Sequence, residues 1–344
     1  MGTETKNKMV SLDVIADELM KAKSIYIFPH YVPDGDAIGS SAAICKAMRK
    51  LGKDCIIVLE DHYPANIAFL DKDYCVWVQE DDDLPAPYLS LALDCSDTDR
   101  FPKRVKHFDS AARTACIDHH LTQGNYAMFN HVDSKASATC ELVYTLLTDI
   151  MKLELDVEQA EAIYTGIVLD TGSFEYSNTS EKTHRITADL YKYGIDAAGI
   201  NIRLHQNERI EKIKLHSLAM SQMELFCGGR AAIAWCTLKM LEETGADLTE
   251  TDGINASLRN IEGVEIAVFL REKFEREIKC GFRSKFDINV ASIAEHFDGG
   301  GHARAAGCTM YMPLTDTKKI IMNAVAKAIE EKDSAGINNN EFSA

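Results

Sequence analysis

The sequence predicts an α/β protein: an N-terminal domain around a parallel sheet, then a smaller C-terminal α/β domain with a mixed sheet. Three observations carry this. In the first part of the chain, short apolar runs rich in β-formers alternate with helix-patterned stretches, the pattern of βαβ units. Several of those runs stop at an acidic residue or a histidine, where open parallel sheets form their ligand crevice. Beyond about residue 222 the alternation gives way to successive strand-like runs. The predicted division is residues 1–195, a helical linker or hinge at 196–222, a second domain at 223–333, and a polar, disordered tail at 334–344.

Each element has its own signal. "VSLDVIADELMKA" (10–22) has the period of an amphipathic helix, and "SIYIF" (24–28) reads as a strand. A small-residue helix over 37–51 stops at Gly52. "CIIVL" (55–59), "LSLAL" (89–93) and "TACI" (114–117) are further strands, and "QEDDDLPAP" (79–87) is a solvated acidic connector. Residues 137–150, 157–170 and 180–194 read as helices, the last ending at Gly194, and "HQNERIEKIKLH" (205–216) as a polar helix or linker. In the second domain "RAAIAWCTL", "GVEIAVFLRE" and "REIKCGFRS" read as strands, with a helix at 289–297.

The chain has 344 residues, enough to bury a core without disulfides. A formal charge of −16 argues against a broad grip on duplex nucleic acid, but not against a small anionic substrate held by a few cations. The ten cysteines include no CxxC pair and mostly fall in apolar runs, the pattern of buried thiols in a reducing cytoplasm. The N-terminal stretch has no apolar leader, and no run approaches the length of a membrane span. Oligomeric state is not legible, and a homodimer is left open.

The chemistry concentrates at strand ends. "FPHYVPDGDAIGSS" (28–41) places His30, Asp34 and Asp36 between a strand and a helix. "LSLAL" runs into Asp94, "TACI" into Asp118, His119 and His120, and the helix at 157–170 ends on Asp170. A single Asp after a strand is more often a turn or helix cap than a ligand. Six donors of mixed oxygen and nitrogen type in one crevice are different, because clustered carboxylates repel and burial aggravates it. His30, Asp34, Asp36, Asp94, His119 and Asp170 are too many for one tetrahedral zinc and suit two divalent ions with a shared carboxylate. The absence of cysteine from the set favours Mn²⁺ or Mg²⁺.

These motifs, HYVPDGD, LALDCSD, CIDHH and VLDTGSF, resemble those of the DHH phosphoesterase superfamily, and "GGGHARAAG" (299–307) resembles the glycine-rich signature of its DHHA1 domain. The likeness runs from about residue 10 to 330 and is similar to the stand-alone oligoribonuclease and pAp-phosphatase type, the nano-RNases. It implies an active site in the cleft between the domains. It also implies that His30 and Asp34 hold one ion, that Asp36, His119 and Asp170 hold the other, and that Asp94 bridges. His120 would lie at the scissile phosphate, and Asp118 would orient an imidazole.

In the second domain the resemblance assigns a non-scissile phosphate to the loop holding Gly300, Gly301, His302 and Arg304. Glycines there let backbone amides approach an anion, and a helix from Ala303 onward would add its N-terminus. Arg283, a bidentate fork, and Ser284 would be further substrate contacts. The expected reaction is metal-dependent hydrolysis of short 5′-phosphorylated oligoribonucleotides to mononucleotides, or of pAp to AMP. A dedicated pApA or cyclic-di-AMP phosphodiesterase is the alternative enzyme, and a nucleotide-binding regulator with a vestigial metal site the alternative of another class. No duplex DNA and no membrane are expected as partners.

Overall fold

The structure, a computed structural model, describes residues 8–79, 81–120 and 124–341. Residues 1–7, which carry most of the N-terminal stretch read as leaderless, and residues 342–344 of the tail lie outside the described residues. The chain divides into two compact units, Met1–Asn207 and Glu208–Ala344.

The strands of the first unit are β1 (Lys8–Met9), β2 (Ser24–Phe28), β3 (Asp54–Leu59), β4 (Cys75–Trp77), β5 (Leu89–Leu93), β6 (Arg113–Asp118) and β7 (Phe129–Val132). They form a seven-stranded sheet in the order β1-β7-β6-β5-β2-β3-β4, with every pairing parallel. The strands read as continuous apolar runs because both faces are covered. Ile25 and Ile27 of β2 enter one core cluster, while Tyr26 and Phe28 enter the other with Phe101 and Phe108.

Neighbouring β2, β5 and β6 finish nearly level, since Phe28 pairs with Ala92 and Leu93 with Ile117. The chain runs outward from β2 to β3 and β4 and resumes on the other side with β5. Their carboxyl ends therefore frame the switch point of the sheet, the usual ligand crevice of this architecture.

The helices are α1 (Leu12–Lys21), α2 (Gly35–Lys50), α3 (Val105–Asp109), α4 (Thr139–Tyr144), α5 (Val157–Asp170), α6 (Glu181–Leu190) and α7 (Ala197–His205). The expected helix at 137–150 is α4 continued by a π-helical stretch, Thr145–Ile150. Small residues let α2 and α5 touch: a Cβ on Gly39 would lie 2.4 Å from the Ala162 carbonyl oxygen. One on Gly166 would lie 2.8 Å from Asp36 Oδ1.

The second unit contains α8 (Ile210–Ser221), β8 (Glu224–Phe226), β9 (Ala231–Cys236), α9 (Leu238–Thr244), α10 (Ile254–Arg259), β10 (Ile266–Phe274), β11 (Glu277–Ser284), α11 (Val290–Glu295), β12 (Gly300–His302), β13 (Ala305–Met310) and α12 (Leu314–Glu341). Its sheet runs β12-β13-β11-β10-β9-β8 and is mixed, since β9 and β10 are parallel and the other pairs antiparallel. One face packs Ile266, Val268, Leu270, Phe282 and Met310 against Ile321, Val325 and Ile329 of α12. On the other face Leu215, Ile254 and Leu258 cover Ala232, Ala234, Ala267 and Phe269 of β9 and β10.

The chain from Ala303 to Met310 is not helical, so no helix N-terminus faces the glycines. Residues 305–310 form β13, antiparallel to both β12 and β11. The glycine-rich stretch is a hairpin, and Gly301, at φ +143, lies where a Cβ would meet the Ala305 carbonyl oxygen at 2.5 Å. Of the stretch read as a linker, α7 belongs to the first unit and α8 to the second. The α12 backbone continues to Glu341, past the start of the stretch whose composition suggests a frayed tail.

Candidate metal centre

Three loops and one helix end deliver the acidic side chains. Asp34 caps α2: its Oδ1 accepts from the Asp36 and Ala37 amides at 3.0 and 3.1 Å. Its Oδ2 stays free of the cap and lies 3.8 Å from His30 Nε2. The cap and ligand readings of this residue are thus compatible, one oxygen for each. Asp36, 1% exposed, receives the first amides of α4, with Thr139 N on Oδ2 at 2.6 Å and Cys140 N on Oδ1 at 2.8 Å. A helix N-terminus favours a carboxylate there.

Asp94 follows β5 directly in the left-handed region, at φ +54, and is 3% exposed. Its Oδ2 lies 3.7 Å from His30 Nε2 and its Oδ1 3.5 Å from His119 Nε2. Thr139 Oγ1 also donates to Oδ1, at 3.1 Å. Asp170, on the last turn of α5, brings Oδ2 to 3.2 Å from His119 Nε2, and Asp36 Oδ2 lies 4.0 Å from the same nitrogen. Donor atoms of His30, Asp34 and Asp94 fall within 4.8 Å of one another, as do those of Asp36, His119 and Asp170. Ligands about 2.1 Å from a common ion stand about 3.0–3.5 Å apart at octahedral to tetrahedral angles, so a small ion fits such groupings.

Asp118 ends β6 fully buried. Its Oδ1 accepts from the His119 amide at 2.8 Å and from His120 Nδ1 at 2.7 Å. The imidazole it orients is therefore that of His120, whose ring is half-exposed and whose Nε2 is left for another partner. His119 instead sets its Nδ1 3.3 Å from the Ala136 carbonyl oxygen.

The electrostatics of the metal-free protein are costly. Burial, followed by Asp36, Asp34, Asp170 and Asp118, pushes the Asp94 carboxyl well above the usual range. Burial and the same neighbours push Asp170 up to about 9. Burial raises Asp36 as well, with His119 opposing. The hydrogen bond that His120 Nδ1 donates to the Asp118 carboxylate holds the imidazole above its ordinary value. Divalent cations are the usual remedy for such a cluster.

In the second unit, Arg283 and Ser284 end β11, and the Ser284 amide donates to the Arg304 carbonyl at 3.0 Å, so the hairpin turn lies beside them. Gly300, Gly301, His302 and Arg304 are exposed. Ser284 differs from its neighbour: its side chain is buried, on the opposite face from Arg283, and donates to the Phe286 carbonyl. Burial and the nearby Arg259 depress the Arg283 pKa.

Sequence reasoning missed several residues. The Thr139 and Cys140 amides carry no side-chain signal, because their function lies in the backbone. Arg104 reads as a surface cation yet is fully buried; it pairs with Glu60 at 2.8 Å and donates to the Pro29 carbonyl just before His30 at 2.8 Å. Asn178 donates to the Asp170 carbonyl at 3.1 Å. Of the residues left aside, Phe174 stacks on His184, and Trp77 packs on His62 and Tyr63.

The DHH family N-terminal domain matches residues 24–167, and the DHHA1 domain matches residues 228–331. The chain is 32% identical over 317 residues to the bifunctional oligoribonuclease and PAP phosphatase NrnA of Thermus thermophilus, spanning 91% of this chain and 93% of that protein. An exopolyphosphatase-related protein from Bacteroides fragilis shares the fold with a TM-score of 0.83 at 23% identity, over 93% of this chain and 95% of that one. Exonuclease RecJ, solved bound to manganese, shares it at a TM-score of 0.53 and 15% identity, over 93% and 95% of the two chains. Both domain matches fall in the order the motifs require and a similar protein aligns nearly end to end, so the chain belongs to the DHH/DHHA1 family of phosphoesterases.

Proposed function

We propose that this chain is a two-metal phosphoesterase that hydrolyses short 5′-phosphorylated oligoribonucleotides to mononucleotides and pAp to AMP. The observation that carries the reading is Asp94, one buried carboxylate with Oδ2 toward His30 and Oδ1 toward His119. The activities named for the Thermus relative support the substrate class. His30 and Asp34 would hold one ion, Asp36, His119 and Asp170 the other, and Asp94 both. A cysteine-free donor set suits Mn²⁺ or Mg²⁺, and the manganese of RecJ favours the first. When bound, such ions supply an activated water and offset charge on the phosphoryl oxygens.

The chain's own groups do the rest. Asp118 fixes the His120 ring and favours its protonated form, so Nε2 is poised to donate to a phosphoryl or leaving oxygen. Arg283 and the 300–304 hairpin take a phosphate of the substrate other than the scissile one. The free cysteines suit a reducing cytoplasm. No helix among the described residues is long and apolar enough to cross a membrane.

The test is turnover of pAp, pApA, a 5′-phosphorylated trinucleotide and cyclic-di-AMP with Mn²⁺ and with chelator. Mn²⁺-dependent release of AMP from pAp and from the linear substrates is expected. Preference for cyclic-di-AMP or pApA alone would make it a dedicated phosphodiesterase. Tight nucleotide binding without hydrolysis would make it a regulator.

A further inference from the structure

We propose that the open face of the second unit's sheet is an extended subsite for a further nucleotide of a single-stranded substrate, running from Arg283 to Lys279 and Arg271. The inference rests on the phosphoesterase reading above and adds to it a place for substrate beyond the glycine hairpin. Beside the helices that cover β9 and β10, with α10 reaching as far as Gly281 of β11, this unit holds a cavity of about 740 Å³.

Strand register sets its floor. Arg271, Lys279 and Thr309 form one row across β10, β11 and β13; Phe269, Gly281 and Gly307 form the next; Ala267, Arg283 and Ala305 the third. The outer rows carry the cations and the middle row has no side chain on two of its three strands. That leaves a narrow trough of half-buried backbone beside the edge of the largely buried Phe269 ring, a shape that suits a planar base between two phosphates.

The charges are unspent. Lys279 donates to Thr309 Oγ1 at 2.7 Å, and Arg271 to the Leu248 carbonyl at 3.3 Å and Thr251 Oγ1 at 3.2 Å. Neither of them, nor Arg283, forms an ion pair with a carboxylate among the described residues. Arg259 lies close enough to Arg283 to disfavour its charge, a juxtaposition an anion would relieve. Asp252 and Asp298 line the cavity as well and set its acidic rim.

Asn255 supplies the polar contact. It lies on α10 at the wall, its amide nitrogen 3.1 Å from where a Gly281 Cβ would be, and its buried Oδ1 has no partner. An amide offering both an acceptor and a donor matches the edge of a base that carries an amino group beside a ring nitrogen. From Arg283 to Lys279 is four residues of strand, about 13 Å, a span that a mononucleotide does not fill.

The test is binding of 5′-phosphorylated oligoadenylates of two and five residues to the full chain in chelator, with turnover measured separately in Mn²⁺. Lys279→Glu is expected to weaken the five-residue ligand by about fivefold or more, and the two-residue ligand by less than about twofold. Gly281→Val, which fills the trough without touching a charge, is expected to show the same dependence on length. Equal losses at both lengths, or none, in variants that keep the wild-type melting temperature would overturn the subsite. Length-dependent binding by a wild type that hydrolyses nothing would instead keep the subsite and remove the phosphoesterase reading.

Discussion

Asp94→Asn is expected to stabilise the metal-free protein, against the usual sign for a buried substitution. Asp94 is buried among like charges that push its carboxyl well above 3.8. The folded state therefore disfavours the charged form, so at neutral pH keeping a carboxyl there costs stability that a neutral amide of the same shape does not. The usual cost of a buried, poorly compensated polar group puts the relief at about 1–3 kcal/mol. Asparagine needs no proton, keeps an oxygen for Thr139 Oγ1, and tolerates the left-handed backbone. At about 2–4 °C per kcal/mol, the metal-free Tm should rise by roughly 2–12 °C.

A raised carboxyl pKa contributes stability that is complete below the unfolded value and is lost as pH climbs through the folded one. Metal-free wild type should therefore lose stability between pH 4 and about 9, the upper end set by Asp170, and Asp94→Asn should lose less. With Mn²⁺ at a hundredfold over its Kd the wild type should gain about 2.7 kcal/mol, and the variant far less. Thermal unfolding in chelator and in Mn²⁺ across this range measures all three. A variant less stable than wild type in chelator, with the same slope against pH, would refute the reasoning.

Three further outcomes follow from the geometry. Asp118→Asn removes the charged acceptor of His120 Nδ1, so the alkaline limb of kcat/KM should move to lower pH and kcat fall by about 10²–10⁴-fold, while the Mn²⁺-induced rise in Tm persists; an unmoved limb would contradict this. Gly39→Ala drives a Cβ to 2.4 Å from the Ala162 carbonyl and should cost about 1–3 kcal/mol in denaturant unfolding. Arg104→Met leaves Glu60 buried and unpaired and should cost about 3–5 kcal/mol; adding Glu60→Leu should return part of that loss in a double-mutant cycle.

Much of this was legible in the sequence where local pattern decides structure. "SIYIF" and "LSLAL" are β2 and β5 to the residue, because a strand buried on both faces must be apolar throughout. The acidic set could be read as converging because parallel strands deliver their carboxyl ends to one edge. The hairpin at 300–304 was less legible, since GGGH followed by ARAAG has no strand alternation and its alanines favour helix. Pairing of β13 with β11 overrides that preference. Ser284 reads as a partner of Arg283 by adjacency, but the period of two sends it to the opposite face. Arg104 has no sequence signal, because its burial depends on Glu60 and two carbonyls supplied by distant loops.

The left-handed turn of the chain at Asp94 narrows what can replace it over evolutionary time. Aspartate, asparagine and glycine occupy that backbone at least cost, whereas glutamate would pair conformational strain with an extra methylene in a filled space. Of the three, asparagine keeps both the shape and the hydroxyl contact while abolishing the charge. A duplicate copy drifting from turnover toward sensing has an easy exit there, one atom exchanged at a backbone position that already tolerates the newcomer.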